Sequence, residues 1–444
     1  MSSVAPQIEE RSRPARRPPS FDLRPSTTAT LFLKTLTSLR LTVILLAFGI
    51  VLVWVGTVAQ ADEGLYQAQS RYFKQWFVWP VTMFGHRVPI GLPGGYLLGT
   101  LLLINLTAAH IKRFQWTWKK LGIHLTHIGI VLLLGGQLAT DLLSRETHMR
   151  IREGETKTFS EAAMSYELAF LSDAGANSDH VVAIPQRMLS DKAEIKHEKL
   201  PFTVRVKEFW PNSDLAFRAP MNQNRPPLTT NGVANWFDFH PASVTHDMDS
   251  KNIPTTLIEL VSASGSLGTW VASGWAGDES VAESIWRSYA QQMGAQRATT
   301  INARLTQSQF VTVDGQQFRF ILRPARVYNP FSMTLLKATH AVYQGTDIPK
   351  DFRSRVRIEN PQRAENREVE IYMNNPLRYS GLTFFQAGMI EKQRIDAGET
   401  PWTILQVVRN PGWLTPYASC IVVAAGLVTQ FMSHLTRFLK RRAA

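Results

Sequence analysis

The chain reads as a membrane protein: a four-helix transmembrane bundle divided three and one, with a large β-rich periplasmic domain inserted between helices three and four. Three observations predict this. Four uncharged apolar stretches, Leu41–Ala59, Gly91–Ala109, Leu121–Thr140 and Pro411–Phe431, are each long enough to cross roughly 30 Å of hydrocarbon as a helix. A polar, strand-like segment over 141–410 separates the third stretch from the fourth. Basic residues gather in the segments that four spans would leave on one side of the membrane.

Residues 1–40 contain Arg11, Arg13, Arg16, Arg17, Arg24, Lys34 and Arg40 and read as a disordered basic cytoplasmic tail. The apolar run that follows is too long for a signal-peptide core, and Gln60-Ala61-Asp62 after it offers no cleavage site, so the first span stays uncleaved. The connection over 60–90 has only Arg71, Lys74 and Arg87 and is placed outside. Residues 110–120 carry Lys112, Arg113, Lys119 and Lys120, and residues 432–444 carry Arg437, Lys440, Arg441 and Arg442, so both are placed in the cytoplasm. The positive-inside rule then puts 141–410 in the periplasm of a bacterium, on the outer face of its cytoplasmic (inner) membrane.

Within that outer segment, alternating or β-branched runs predict many short strands. Examples are His148–Phe159, Phe202–Phe209, Thr255–Ser262, Phe310–Val313, Gln317–Leu322, Met333–Tyr343 and Trp402–Val408. Turn dipeptides such as Asp314-Gly315 punctuate them, which favours a sandwich or open barrel over a parallel α/β sheet. One helix is expected over Glu279–Met293, from Val281, Ile285, Tyr289 and Met293 at helical spacing with Asp278 as its cap. The Pro-, Asn- and Asp-rich stretch 210–252 reads as a long loop.

The net charge of +13 invites a nucleic-acid reading, but the basic residues sit at membrane edges, so no nucleic-acid partner is expected. The single cysteine, Cys420, lies in the fourth apolar stretch, which leaves the outer domain without a disulfide, a Cys-x-x-Cys pair or a Cys-x-x-Cys-His haem attachment site. No phosphate loop, Gly-x-Ser-x-Gly or His-Glu-x-x-His is present, and no catalytic residue is assigned.

Histidines in the membrane are the informative residues. His124 and His127 fall three apart in the third stretch, on one helical face, with His127 about 9 Å from the helix start. Ionisable groups at that depth need a partner, and neutral imidazole can both be buried and ligate a metal. An interfacial histidine bonded to a neighbouring helix or a headgroup fits the same residues. His110 and His434, beside basic residues, read as interface anchors; Phe114, Trp116 and Trp118 read as belt aromatics. The outer histidines are scattered; only His240 and His246 lie close, and an ordinary loop accounts for them.

Four sets of residues resemble the ResB (CcsB) family of cytochrome c biogenesis proteins. They are Ser38-Leu39-Arg40-Leu41 through Gly56-Thr57; Asn105-Leu106-Thr107 with His110-Ile111-Lys112-Arg113; Leu125-Thr126-His127-Ile128-Gly129 through Gln137; and Tyr372 to Leu377 with Gly381 to Gln386, continuing to Gly412. Residues 175–310 carry none of the family's motifs.

The resemblance implies a membrane subunit of a haem export and cytochrome c haem-attachment (synthetase) complex, not catalytic alone, that binds haem and presents apocytochrome c. It implies a multi-span partner of the ResC (CcsA) type, transient haem b as cargo, and His127 as the axial ligand of the haem iron, with His124 ranking second. The rival class is a structural scaffold that stabilises the partner without touching haem. A permease would carry its outer domain after the first span, and a sensor would need a cytoplasmic output domain.

Overall fold

The computed structural model describes residues 27–173, 175, 178–191, 194–218, 226–245, 251–346 and 348–443. Helix α1 (Thr27–Leu36) occupies part of the segment expected to be a disordered tail. The Arg, Pro and Ser bias that suggested disorder stops before Leu31-Phe32-Leu33, where an apolar run begins. Helix α2 (Leu39–Glu63) starts at Ser38, whose hydroxyl accepts from the Leu41 N–H at 3.2 Å, a standard N-cap. Leu45, Leu52, Val55 and Ala59 form its buried face, while Val43, Ile44, Ile50 and Trp54 stay exposed, as on a helix with apolar side chains all round.

The connection that follows α2 is folded against it. Tyr72 is fully buried there, and its hydroxyl accepts from the Thr82 N–H at 2.9 Å. Leu92–Pro93 pair with Phe77–Val78, so helix α3 (Gly95–Lys112) begins after Pro93-Gly94 rather than at Gly91. Helix α4 (Leu121–Leu143) returns antiparallel to it after a short turn.

The β-rich part is built from β1 (Arg145–Arg152), β2 (Thr156–Asp173), β3 (Asp179–Pro185), β4 (Glu194–Ile195), β5 (Phe202–Trp210), β6 (Ser213–Phe217), β7 (Phe237–Pro241), β8 (Thr255–Ser262) and β9 (Gly265–Ser273). After helices α5 (Glu279–Met293) and α6 (Ala295–Leu305) come β10 (Gln309–Val313), β11 (Gln316–Val342), β12 (Pro349–Asn360), β13 (Glu365–Tyr372), β14 (Leu377–Tyr379), β15 (Leu382–Met389) and β16 (Trp402–Arg409). A ten-stranded sheet runs β13-β12-β11-β2-β1-β16-β15-β14, with β10 beside β11 and β3 beside β2; a four-stranded sheet runs β9-β8-β5-β4.

The two expected strands Gln317–Leu322 and Met333–Tyr343 are one strand, β11. It continues because register shifts at Pro324 and between Tyr328 and Met333 absorb the prolines as bulges. With β2 it spans two cores. One, around Phe170, Phe202, Ile258 and Phe320, lies between the two sheets. The other, around Met149, Met333, Ile358, Phe384 and Leu405, lies where the rest of the large sheet curls on itself. A third cluster joins α5 and α6 to the other face of the four-stranded sheet through Ile285, Tyr289, Ile301 and Leu305. Part of the stretch 210–252, expected as a loop, is the antiparallel pair β6–β7.

Helix α7 (Thr415–Ala443) starts after a turn held by Asn410, whose side chain accepts from the Gly412 N–H at 2.8 Å, and it continues through the basic segment expected to be a tail. It packs closely on α4. A Cβ on Gly122, Gly129 or Gly136 would lie 2.7 Å from Gly426 O, 2.6 Å from Val423 Cγ2 and 2.1 Å from Thr415 Cγ2 respectively. Gly135, the neighbour of Gly136, faces open space.

Among the described residues three helical segments, Leu39–Glu63, Trp118–Leu143 and Thr415–Ala443, are long and apolar enough to cross a membrane. Four were expected. Helix α3, 18 residues long, falls outside this group because Asn105, His110 and Lys112 lower its hydropathy.

Candidate functional site

The turn between α3 and α4 brings together residues that are far apart in character. Asn105, fully buried in α3, donates from Nδ2 to Leu36 O at 2.6 Å and accepts from Thr42 Oγ1 at 2.6 Å. Lys112 Nζ and Arg113 Nη2 donate to Thr37 Oγ1 at 3.1 Å and to Thr37 O at 3.3 Å. The Ser38 and Asn105 segments are therefore one unit: α3 is bolted to the α1–α2 corner by the groups that make it less apolar.

Against this unit stand three imidazoles. The His110 ring lies 5.0 Å from that of His124, edge-on, and 5.2 Å from that of His127, stacked at 26°. His124 is buried, with 4% of its surface exposed. Its Nε2 is 2.9 Å from Gln115 O, and a carbonyl only accepts, so Nε2 carries the proton. The bare Nδ1 then accepts from His110 Nε2 at 3.3 Å. Both nitrogens of His124 are engaged. His127 donates from Nδ1 to Ile123 O at 2.7 Å, which fixes its tautomer and leaves Nε2 as a free lone pair. Phe114 lies 4.8 Å from the His124 ring, and Trp116 is nearly parallel to it at 6.3 Å.

These geometries say which chemistry the cluster supports. Among the described residues no group of three or more His, Cys, Asp or Glu is placed to hold a metal ion by itself. A planar macrocycle asks for less: one imidazole nitrogen on its iron, oriented by a bond at the other nitrogen. His127 fits that requirement, and His124 as it stands does not.

Sequence reasoning missed His110 as a member of the cluster. It was assigned to the interface, and the signal that could have found it is position: it ends one arm of a helical hairpin whose other arm begins with His124. At the other end of the same hairpin, Asp141 pairs with Lys74 at 2.6 Å and accepts from the Tyr96 hydroxyl. They border a groove of about 290 Å3 walled by Phe73, Leu103, Leu134 and Leu138.

The remaining histidines stand apart. His434 is exposed and bonds Gln430 at 2.8 Å. Among the described residues His340 bonds only Ile390 O, to which its Nδ1 donates at 2.8 Å. His86 and His240 are exposed, and His246 lies outside the described residues.

Fold and site together define a class: a helical membrane protein with a histidine cluster at one helical turn and a large β domain between its last two long apolar helices. Residues 288–399, from the end of α5 to the segment after β15, match the ResB-like family, so the family resemblance read from the sequence holds. The chain is also similar to Protein NrfI of Wolinella succinogenes, at 28% identity over 134 residues, which is 30% of this chain and 14% of that protein. Of the motifs quoted above, Tyr372 to Gln386 lie inside the family match, and the histidine cluster lies outside it.

Proposed function

We propose that this protein is a membrane subunit in cytochrome c biogenesis that receives haem at the α3–α4 turn and offers apocytochrome c its β domain on the opposite side of the membrane. The observation that supports this best is His127, an imidazole in an apolar helix with Nδ1 bonded to Ile123 O and Nε2 free. Haem is cargo here. His127 holds its iron from one side, and the opposite ligand comes from a multi-span partner subunit of the ResC type. His124 and His110 position the site: His124 fixes the Gln115 turn, and His110 lies against the face of the His127 ring. Phe114 and Trp116, both exposed, extend an aromatic surface that suits a flat ring.

In this reading α3 is a fourth span despite its polar residues, because Asn105 is satisfied within the bundle and Lys112 stands exposed at the helix end, where it donates to Thr37. Basic residues then fall on the cytoplasmic side and the β domain on the periplasmic side. Keeping the substrate thiols reduced falls to another protein, since this chain has one cysteine and so no Cys pair.

The test is a visible spectrum of the protein purified with its partner from haem-sufficient cells. Wild type should give a low-spin, bis-imidazole Soret band. His127→Ala should weaken it on the order of tenfold or more, with recovery in added imidazole. An unchanged band in His127→Ala would overturn the ligand assignment and favour a scaffold.

A further inference from the structure

Strand β10 pairs on one side only among the described residues. Asp314 and Gly315 both have positive φ, 51° and 77°, and link β10 to β11 as a two-residue hairpin in the register Val313↔Gln316. The closing pair of such a hairpin exchanges both backbone hydrogen bonds, and so do Val311 and Gln309 with their partners. Phe310 and Thr312 therefore turn their N–H and C=O groups outward, where no strand pairs with β10 among the described residues.

That edge opens on a groove of about 580 Å3 whose opposite wall includes Asn231, Trp236, Leu267 and Trp270. Gln309 braces the groove by donating from Nε2 to Val271 O at 2.8 Å. Phe310 and Trp236 present large apolar rings to solvent, and Arg304 backs the Trp236 ring at 4.1 Å. Among the described residues no acidic or basic side chain lines the groove.

Strand β13, at the far end of the same sheet, is protected differently. It carries Glu365, Arg367, Glu368 and Glu370; Arg367 pairs with Glu365 at 2.6 Å and Glu370 with Arg353 at 3.2 Å. Charge on an edge is a usual defence against pairing with another chain, and Gln-Phe-Val-Thr-Val has none.

We infer that the β10 groove binds an extended, unfolded polypeptide segment in trans, which adds to β10 as a further strand. Alternating unpaired donors and acceptors at strand spacing recognise another backbone, and the exposed rings of Phe310 and Trp236 receive an apolar side chain from it. The occupant is an unfolded stretch of apocytochrome c; that identity rests on the function proposed above, whereas the strand-addition geometry stands without it.

The probe is a reduced, fluorescent peptide of about 15 residues containing Cys-x-x-Cys-His, titrated into the full chain in lipid nanodiscs and followed by anisotropy. Wild type should bind saturably. Thr312→Pro removes an outward N–H without taking a bond from the β10–β11 ladder, and should weaken binding about tenfold. Thr312→Lys, which places a charge on the edge, should do the same and serves if the proline variant misfolds. Absence of saturable binding, or equal affinity in wild type and both variants, would overturn the inference. His127→Ala should keep its peptide affinity and Thr312→Lys its haem spectrum, so failure here and failure of the haem reading are separable.

Discussion

Asp278 shows how a single buried charge organises the outer domain. It is 4% exposed, caps α5 by accepting from the Ser280 N–H at 3.1 Å, accepts from the Tyr166 hydroxyl at 3.0 Å and pairs with Lys251. Burial alone would push its carboxyl up, but Lys251 and the bonds from Ser280 and Tyr166 outweigh it and hold the group below the usual carboxylate range. A carboxyl depressed in the folded state adds stability that is present above the ordinary carboxylate pKa and lost as pH falls through the depressed value. Asp278→Ala removes the cap and strands both Lys251 and the Tyr166 hydroxyl, so a loss of about 2–3 kcal/mol is expected in urea unfolding at neutral pH. Asp278→Asn keeps an acceptor at Oδ1 for the cap but puts an amide N–H where Oδ2 accepts from Tyr166 and Lys251, so it should recover about half of that. A loss under about 0.5 kcal/mol in Asp278→Ala would refute this account. The cap was legible in the sequence, since Asp precedes an amphipathic run. Its Tyr166 and Lys251 partners were not, being 112 and 27 positions away and joined only by the sheet packing. The same limit hid His110, which meets His124 only because the turn folds α3 against α4.

At the scale of elements, the close approach of α4 and α7 depends on backbone rather than on apolar fit. Lipid tails are as apolar as leucine, so helices in a bilayer gain by packing where small residues let them touch. Gly129 is the clearest such point: a Cβ there would lie 3.0 Å from Val423 N and 3.1 Å from Ser419 O as well as against the Val423 side chain. Gly129→Leu should therefore separate the helices and lower stability by about 1–3 kcal/mol, read as a lower melting temperature in detergent. Gly135→Leu, into open space, should leave it unchanged. Equal melting of both variants would show that the contact does not matter. Periodicity and hydropathy located the apolar helices, α5 and most of the strands, because those patterns are local. Boundaries moved wherever tertiary pairing competed, as at Leu92–Pro93, and β6–β7 was lost because its partners lie across a polar loop whose composition reads as coil. Helix α6 was also missed: Ala298, Ile301 and Leu305 are too few apolar residues to stand out beside α5.

For the whole molecule, topology turns on the parity of its spans. Chain direction puts Arg40, Lys112, Lys120 and the end of α7 at one end of the bundle and the β domain at the other, because α3 runs back along α2 and α7 back along α4. If α3 crosses, the β domain lies opposite the α3–α4 turn and on the same side as the α2–α3 connection. If only α2, α4 and α7 cross, that connection and the turn share a side, and the β domain lies opposite both. Three exposed positions separate these cases: His86 between α2 and α3, Thr117 in the α3–α4 turn and Ala263 in the β8–β9 turn. The chain has one cysteine, so Cys420→Ser gives a thiol-free background for single replacements. A membrane-impermeant maleimide should label His86→Cys and Ala263→Cys in intact spheroplasts, and Thr117→Cys only after permeabilisation. Co-labelling of positions 86 and 117, with 263 on the other side, would mean that α3 stays on one face of the membrane. The polar residues of α3 make this a real alternative in composition. Asn105 is fully buried with its donors and acceptor satisfied by α1 and α2, so its amide meets no lipid and does not oppose the proposed crossing of α3 as part of a packed unit.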